Sequence, residues 1–429
     1  VNKSYRYYVL GMLTLTSMLS IADRLVMSIL LEDIKADFAM TDTQLGLLAG
    51  LAFTLFYATL GIPIARLADK ANRKNIVAAA LVVWSAMTAL CGAATGFISL
   101  FLARLGVGVG EAGGSPPSYS IIADYFRPDE RARAMGIYIT GAALGTGSGL
   151  MAGGYLAELL GWRMTFVALG IPGVLLGIVL FLTVREPKRG SLDGPTGKDI
   201  VAPALGSTLR TLSGNAEYVW VALSYALLTM VGYAMAIWMA PIMLRNFDVS
   251  VADTGFYLGC AFFLGGIPGP ILGGYLTDYL IKRDQRWRAW IPAVCVLLSV
   301  VAFWFCLTAR ELWTFLGLFV VAYTLFMVPQ APSMSMLQSS VGAGMRALAV
   351  AFALLVNNLL GQALGPFLIG LTSDQLKPSY GNEALNYAVI ALCAIAAVAA
   401  CACYLRTAQV MTRTDLPERV PGPLGDRSR

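Results

Sequence analysis

Four charged residues, Asp23, Arg24, Arg104 and Glu111, stand inside stretches that are otherwise long and apolar. Their formal charges cancel. Two guanidiniums held together could bind an anionic or zwitterionic group, and a buried carboxyl beside them could carry a proton. Burial and a neighbouring arginine push a carboxyl's proton affinity in opposite directions, so such a site can be set to titrate. Arg104 and Glu111 are seven positions apart, two helical turns, and so share a helix face. Asp23 and Arg104 lie at similar depth at about 1.5 Å per residue, so a contact between them is possible. A charge at membrane depth costs about 2.5–3.5 kcal/mol on insertion scales, so such groups face inward and pair. Asp23 is the expected proton carrier, with Glu111 its coupled partner. Arg24, Arg104 and Glu111 are the expected ligand-binding charges. The plainer alternative is a neutral network that only ties helices together.

The rest of the inventory narrows the chemistry. There is no histidine among the 429 residues, so the usual general base, metal ligand and pH switch are missing. The seven cysteines all fall in apolar runs without metal-ligand spacing and read as small core residues. No metal, cofactor or catalytic residue is expected. Gly108-Val109-Gly110-Glu111-Ala112-Gly113 fits a dinucleotide fingerprint by letter, but no strand precedes it and it lies inside an apolar span.

These residues must be positioned by helices in lipid. The apolar set makes up 57% of the chain and charged residues 13%, about half the usual ~25%. The mean hydropathy is +0.69. A soluble enzyme, a nucleic-acid module and a disordered chain are therefore all poor readings. Ten charge-free runs of at least twenty residues occur, from 43–65 to 384–405, each long enough to cross a bilayer as a helix. Residues 7–31 and 97–125 are two further spans, interrupted by the four charges, which makes twelve. The first is too long and too charged for a cleaved signal peptide.

With both termini inside, 24 of the 31 Lys and Arg fall in inner segments, five in outer loops and two within the membrane. The expected location is a bacterial-type inner membrane with cytoplasmic termini. The net charge of +6 then reflects topology and not a nucleic-acid partner.

The chain reads as two halves. Residues 1–184 are expected to form one six-helix bundle and 217–408 another. A Pro- and Gly-bearing cytoplasmic linker, 185–216, with a short surface helix near 198–213, joins them, and 409–429 is a cytoplasmic tail. Asp69 and Asp278, 209 apart, end corresponding spans before basic residues. Gly141-Ala142-Ala143-Leu144-Gly145 and Gly361-Gln362-Ala363-Leu364-Gly365 are 220 apart. A six-helix unit repeated in the same orientation is a transporter architecture. The second half has no mid-membrane charge. Its polar residues include Thr229, Tyr233, Gln330, Ser333, Asn357 and Gln362, each more often a helix–helix hydrogen bond than a ligand.

Ala65 to Lys74 resembles the signature loop of the major facilitator superfamily, Gly-x-x-x-Asp-Arg-x-Gly-Arg-Arg, with Ala65, Lys70 and Asn72 departing from it. Arg104 to Gly110 resembles that superfamily's span-four motif, and Gly141, Gly145, Gly149 and Gly153 its span-five glycine ladder, without the usual proline. A closer similarity is to the Spinster branch. It rests on Ala22-Asp23-Arg24, Trp84-Ser85, Arg104 through Ala112, Ile122 to Phe126 before Arg131, and Arg185-Glu186-Pro187.

The resemblance implies an all-α membrane protein of twelve helices in two pseudo-symmetric bundles. It implies a secondary transporter that moves an amphiphile such as a lysophospholipid or sphingosine phosphate. One charged half facing an apolar half suits such a substrate better than a sugar. Substrate contacts are expected from Arg24, Arg104, Glu111, Asn357 and Gln362. By the resemblance, Asp69 is an inner-gate residue pairing with Arg73 or Arg131, joined by Asp124 and by Asp278 of the other half. Protons and membrane lipids are the other expected partners, nucleic acid is not, and the protein is expected to act as a monomer. A drug or organic-anion exporter on the same fold is the rival reading. A membrane enzyme acting on lipid lacks a metal or nucleophile site in this sequence. A channel fits the two-half repeat poorly.

Overall fold

A computed structural model of the chain describes residues 2–190, 205–341 and 345–414. These are helical almost throughout, as a backbone in lipid must be to satisfy its own hydrogen bonds. Ten apolar helical stretches are long enough to cross a membrane, and two of them, Asp129–Thr183 and Leu348–Met411, are long enough for two crossings each. The described residues therefore make twelve crossings.

The first crossing, Lys3–Phe38, starts at Asn2, whose side chain accepts from Ser4 N, and ends at Ala39 in the left-handed region with φ 50°. The fifth and sixth crossings share the helix Pro128–Thr183, turned at Gly161. A φ of 77° there suits glycine, which has no Cβ to clash. The two halves are joined through the short helix Leu205–Gly214. The expected linker stretch 191–204 and the tail from 415 lie outside the described residues. The last crossing, Ala384–Thr414, runs a few residues past the point where the tail is expected to begin.

Three crossings break where the sequence places prolines. The fourth stops at Glu111 and restarts at Ser115, ahead of Pro116 and Pro117. The eighth breaks at Ile267, between Val251–Gly266 and Pro268–Leu280. The tenth breaks between Leu312–Met327 and Gln330–Ser339. Two wider, π-type turns are not foreseeable from periodicity: Leu47–Leu51 in the second crossing and Asn357–Ala363 in the eleventh.

The span-five ladder packs within its own half. A Cβ on Gly149 would come within 2.6 Å of the Ala22 backbone, and one on Gly153 within 2.6 Å of the Val26 side chain. The first crossing is thus seated on the fifth, which fixes Asp23 and Arg24 in place. Other glycines bring the halves together, from the end away from the linker in as far as Gly147, which meets Phe263, and Gly259, which meets Met151. At that far end Gly46 meets the Pro366 carbonyl, and a Cβ on Gly50 would lie 2.8 Å from the Ala363 oxygen. Gly154 and Gly255 face each other across the fifth and eighth crossings. At the linker end, Gly61, Gly136 and Gly274 meet nothing within 4 Å. Among the described residues the two bundles form a V, closed at the far end and parted at the linker end.

Candidate functional site

At the middle of the first crossing Asp23, Arg24, Arg104 and Glu111 are all buried. The expected grouping is present, with different partners. Glu111 pairs with Arg24: its Oε2 accepts from Arg24 Nε at 2.8 Å, from Arg24 Nη2 at 2.6 Å and from the Ser20 hydroxyl at 2.6 Å. The Arg24 guanidinium also lies 4.6 Å from the Phe53 ring centre and 4.5 Å from that of Tyr57, so two ring faces share its charge. Asp23 accepts one hydrogen bond, from Thr88 Oγ1 at 3.0 Å.

Arg104 makes no ion pair among the described residues, and its Nε and Nη1 are buried with no hydrogen-bond partner. The Asp23–Arg104 contact that their depth allows is not made among the described residues, although Arg104, Arg24 and Glu111 are the charges near Asp23. A shared helix face leaves Arg104 and Glu111 two turns, about 10.5 Å, apart along the axis. On the second crossing, Arg104 and Arg24 flank the same Phe53 ring, at 5.6 Å and 4.6 Å.

Beside this cluster lies a cavity of about 280 Å³ between the halves. Arg24, Ile21 and Leu25 form its wall on the first half. Tyr225, Tyr233, Phe262, Tyr323 and Phe326 face them from the second half, with Thr229, Gln330, Asn357 and Gln362 as the polar groups there. Asn357 and Gln362 are brought onto one wall by the π turn, in which residues five apart stack. Their buried side-chain oxygens have no partner among the described residues. Ser333, by contrast, is a brace: its hydroxyl bonds Tyr404 at 2.6 Å and the Pro329 carbonyl at 2.7 Å. Chemically, the site offers a cation on one side, an aromatic face on the other and amides at the edge. It suits a molecule with a charged head and an apolar body.

The far end is closed by charges that sequence reasoning missed. Arg245, at the end of the seventh crossing Ala216–Asn246, reaches across to two carboxylates of the first half. Its Nε and Nη2 donate to Glu32 Oε1 at 3.0 and 2.6 Å, and Nη1 and Nη2 donate to Asp42 at 2.9 and 2.8 Å. Asp42 is also held by Lys35 and, at 2.7 Å, by the Ser373 hydroxyl. Read singly, Arg245 and Lys35 are loop charges. The one signal available was the helix start Thr41-x-x-Gln44, a capping box, which marks a helix entering next to Asp42.

At the linker end the expected gate residues are only partly brought together. Arg73 is buried and donates to Asp124 Oδ2 at 2.5 Å, Glu186 Oε1 at 2.7 Å, Ser120 Oγ at 2.7 Å and the Pro187 carbonyl at 3.1 Å. Asp124 and Ser120 belong to the first half and Glu186 and Pro187 to the start of the linker, so none of these partners is in the second half. Arg131 Nε donates to the Ala123 and Phe126 carbonyls of the first half. The Asp69 side chain lies outside the described residues, and Asp278 is exposed.

Known proteins agree with this architecture. The sequence model of the major facilitator superfamily matches residues 12–366. The chain is 31% identical over 394 residues to an MFS-type efflux pump of Mycolicibacterium smegmatis, covering 92% of this chain and 90% of that one. It is 28% identical over 424 residues to the sphingosine-1-phosphate transporter SPNS2 of Danio rerio, covering 93% and 83%. A solved bacterial homologue of the human lysosomal transporter Spinster, inward-facing and unoccupied, matches with a TM-score of 0.88 at 30% identity over 96% of this chain and 99% of that one. The occupied form matches at 0.80. With the family match spanning most of the sequence and the fold shared along nearly its whole length, the chain belongs to the major facilitator superfamily, as a transporter of its Spinster branch.

Proposed function

We propose that the protein moves a lipid-like amphiphile, a lysophospholipid or a sphingosine-phosphate-like molecule, by alternating access coupled to protons. The observation that carries this reading is the two-sided cavity: Arg24 on one wall, with Glu111 bonded behind it, and tyrosines and phenylalanines on the other. A phosphate head would meet Arg24 and Arg104, with Glu111 tuning their charge and Asn357 and Gln362 bonding the head's polar edge. The apolar body would lie against Phe262, Tyr323 and Phe326.

Asp23 is the proton carrier in this scheme and Glu111 its coupled partner. A carboxyl with one hydroxyl donor and no ion pair can gain or lose a proton without breaking a salt bridge. The 24 to 5 distribution of basic residues favours cytoplasmic termini in a bacterial-type inner membrane. The parted linker end is then the inward-facing mouth. Residues 1–184 and 217–408 rock against each other as the two halves of a monomer. Asp69, Arg73, Asp124, Arg131 and Asp278 form the inner gate when that mouth closes. No metal or cofactor enters the scheme.

The test is flux of labelled lysophospholipid into proteoliposomes with and without a pH gradient. The intact protein should respond to the gradient. Asp23→Asn should still bind substrate and lose that response. Gradient-dependent flux by Asp23→Asn removes Asp23 from the proton role. A second reading, a drug or organic-anion exporter, is favoured by the likeness to the mycobacterial efflux pump. It gains if drugs, and not lysophospholipids, are carried.

A further inference from the structure

At the far end each half holds a helix of the other by its first turn. Asp374, in the helix Leu364–Tyr380 of the second half, accepts from Asp42 N at 3.1 Å, from Thr43 N at 2.8 Å and from the Thr43 hydroxyl at 2.6 Å. Those amides open the second crossing, in the first half. Glu158, near the end of the fifth crossing, accepts from Ala252 N at 3.0 Å and bonds the Ser250 hydroxyl. That amide opens the eighth crossing, in the second half.

First-turn amides have no partner inside their own helix and carry the positive end of its dipole. Each of these helices has its own cap, which takes a single amide. Thr41 takes Gln44 N and Ser250 takes Asp253 N, the third helical position in both cases. The earlier positions are left for a carboxylate from across the interface.

The two contacts share a spacing as well. Gly370 stands four residues before Asp374, and Gly154 four residues before Glu158. Both glycines receive the carbonyl of the first residue of the captured helix: Asp42 O sits on Gly370, and Val251 O would lie 2.5 Å from a Cβ on Gly154. One turn of close approach thus sets the depth at which the carboxylate, one turn further on, meets the amides. In a six-helix repeat the second and eighth crossings correspond, as do the fifth and eleventh. The same device is used twice, once in each direction.

We propose that Asp374 and Glu158 are a symmetric pair of latches that close the far end of this transporter, each positioned by the glycine one turn before it. Neither contact survives parting of the halves at that end, so both act on the balance of conformations and not on substrate. The inference is independent of which molecule is carried and of proton coupling. Asp374 makes three bonds and is half-buried, whereas the Glu158 contact is exposed, so Asp374 is the stronger latch.

The test is the distance distribution between spin labels at Ala36→Cys and Ser379→Cys, exposed far-end positions on opposite halves, in the purified full chain. Lys70→Cys with Lys282→Cys reports the linker end. Cys260 and Cys401, the two native cysteines that are not buried, are replaced by Ala. By the usual worth of a charged cap, Asp374→Asn should shift the far-end equilibrium toward open about tenfold and Glu158→Gln about threefold. The double variant should shift it about thirtyfold, since the sites are apart. Far-end distances should lengthen as linker-end distances shorten, with Asp374→Glu restoring part of the closed population. If the double variant melts like the parent and both distributions stay unchanged, the latch is refuted. If Asp374→Asn does not fold, Glu158→Gln decides alone: a threefold shift supports the latch and no shift overturns it.

Discussion

Glu111→Gln and Arg24→Met cut the same ion pair from opposite sides, and the two cuts should not cost the same. The pair is 0% exposed at Glu111 and 9% at Arg24, and Arg24 gives Glu111 two hydrogen bonds. Breaking a buried pair from one side costs about 3–5 kcal/mol because a charge is left uncompensated. An arginine cannot shed its proton, so in Glu111→Gln the charge on Arg24 stays. The amide oxygen still accepts one bond, and the Phe53 and Tyr57 rings remain, which puts the cost near the lower end, about 3 kcal/mol.

In Arg24→Met at pH 5, Glu111 keeps the Ser20 hydroxyl and can neutralise by taking up a proton; pH 5 is about 0.7 unit above an ordinary glutamate's pKa, so about 1 kcal/mol is lost. At about 2.1 cal/mol/K per residue, a chain of this length melts about 1 °C lower for each kcal/mol. The two variants should differ by about 2 °C, with Glu111→Gln the lower. The double variant should recover most of the loss, since a neutral pair leaves no buried charge. Acidification should shrink the deficit of Arg24→Met, whose carboxyl gains its proton more cheaply, and leave that of Glu111→Gln in place. A thiol-reactive fluorophore can follow the melt, because five of the seven cysteines are buried until unfolding. Equal losses in the two single variants, or a double variant that loses their sum, would refute the reasoning.

Two further outcomes follow from the site and from the closed end. Arg104→Ala should weaken lysophospholipid binding by at least about a hundredfold, two charge-assisted bonds at about 1.5–3 kcal/mol each, while leaving the melting temperature unchanged or higher. Parent-like affinity in an equilibrium binding assay would take Arg104 out of the site. Gly370→Val would drive a side chain into the Asp42 carbonyl and hold the far end open. A cysteine introduced at Thr229, on the cavity wall, should then react faster with a membrane-impermeant thiol reagent added from the far side; an unchanged rate would mean that this contact does not govern closure.

The crossings were legible in the sequence because the cost of a charge in lipid is local: each residue declares itself without knowledge of its neighbours. The same reasoning picked out Asp23, Arg24, Arg104 and Glu111 as exceptions, and all four are buried together. The breaks at Ile267 and before Gln330 coincide with Pro268 and Pro329, which lack the amide a continuous helix needs. Pro63, Pro172, Pro241, Pro292 and Pro378, however, stand inside helices that do not break there, so a proline alone does not locate a break. The glycine ladder was legible as a close contact. Its partner was not, because spacing shows that a face is small and not which helix lies on it.

Pairing and closure belong to the tertiary structure. Helical spacing put Arg104 and Glu111 on one face, two turns apart, and left their partners open; the guanidinium that reaches Glu111 is Arg24, held beside Ser20 and two rings of the second crossing. A side-chain bond is settled by tenths of an ångström between helices, and sequence spacing resolves only turns. Arg245, Glu32, Asp42 and Asp374 are ordinary charges at helix ends until the two halves meet. Then more than 200 residues of intervening chain vanish from the problem, and four helix ends become one clasp. Which residues lipid will not tolerate alone can be read position by position, because that depends on one residue and its solvent. Which of them answer one another emerges only when the helices pack, because that depends on distances no single helix contains.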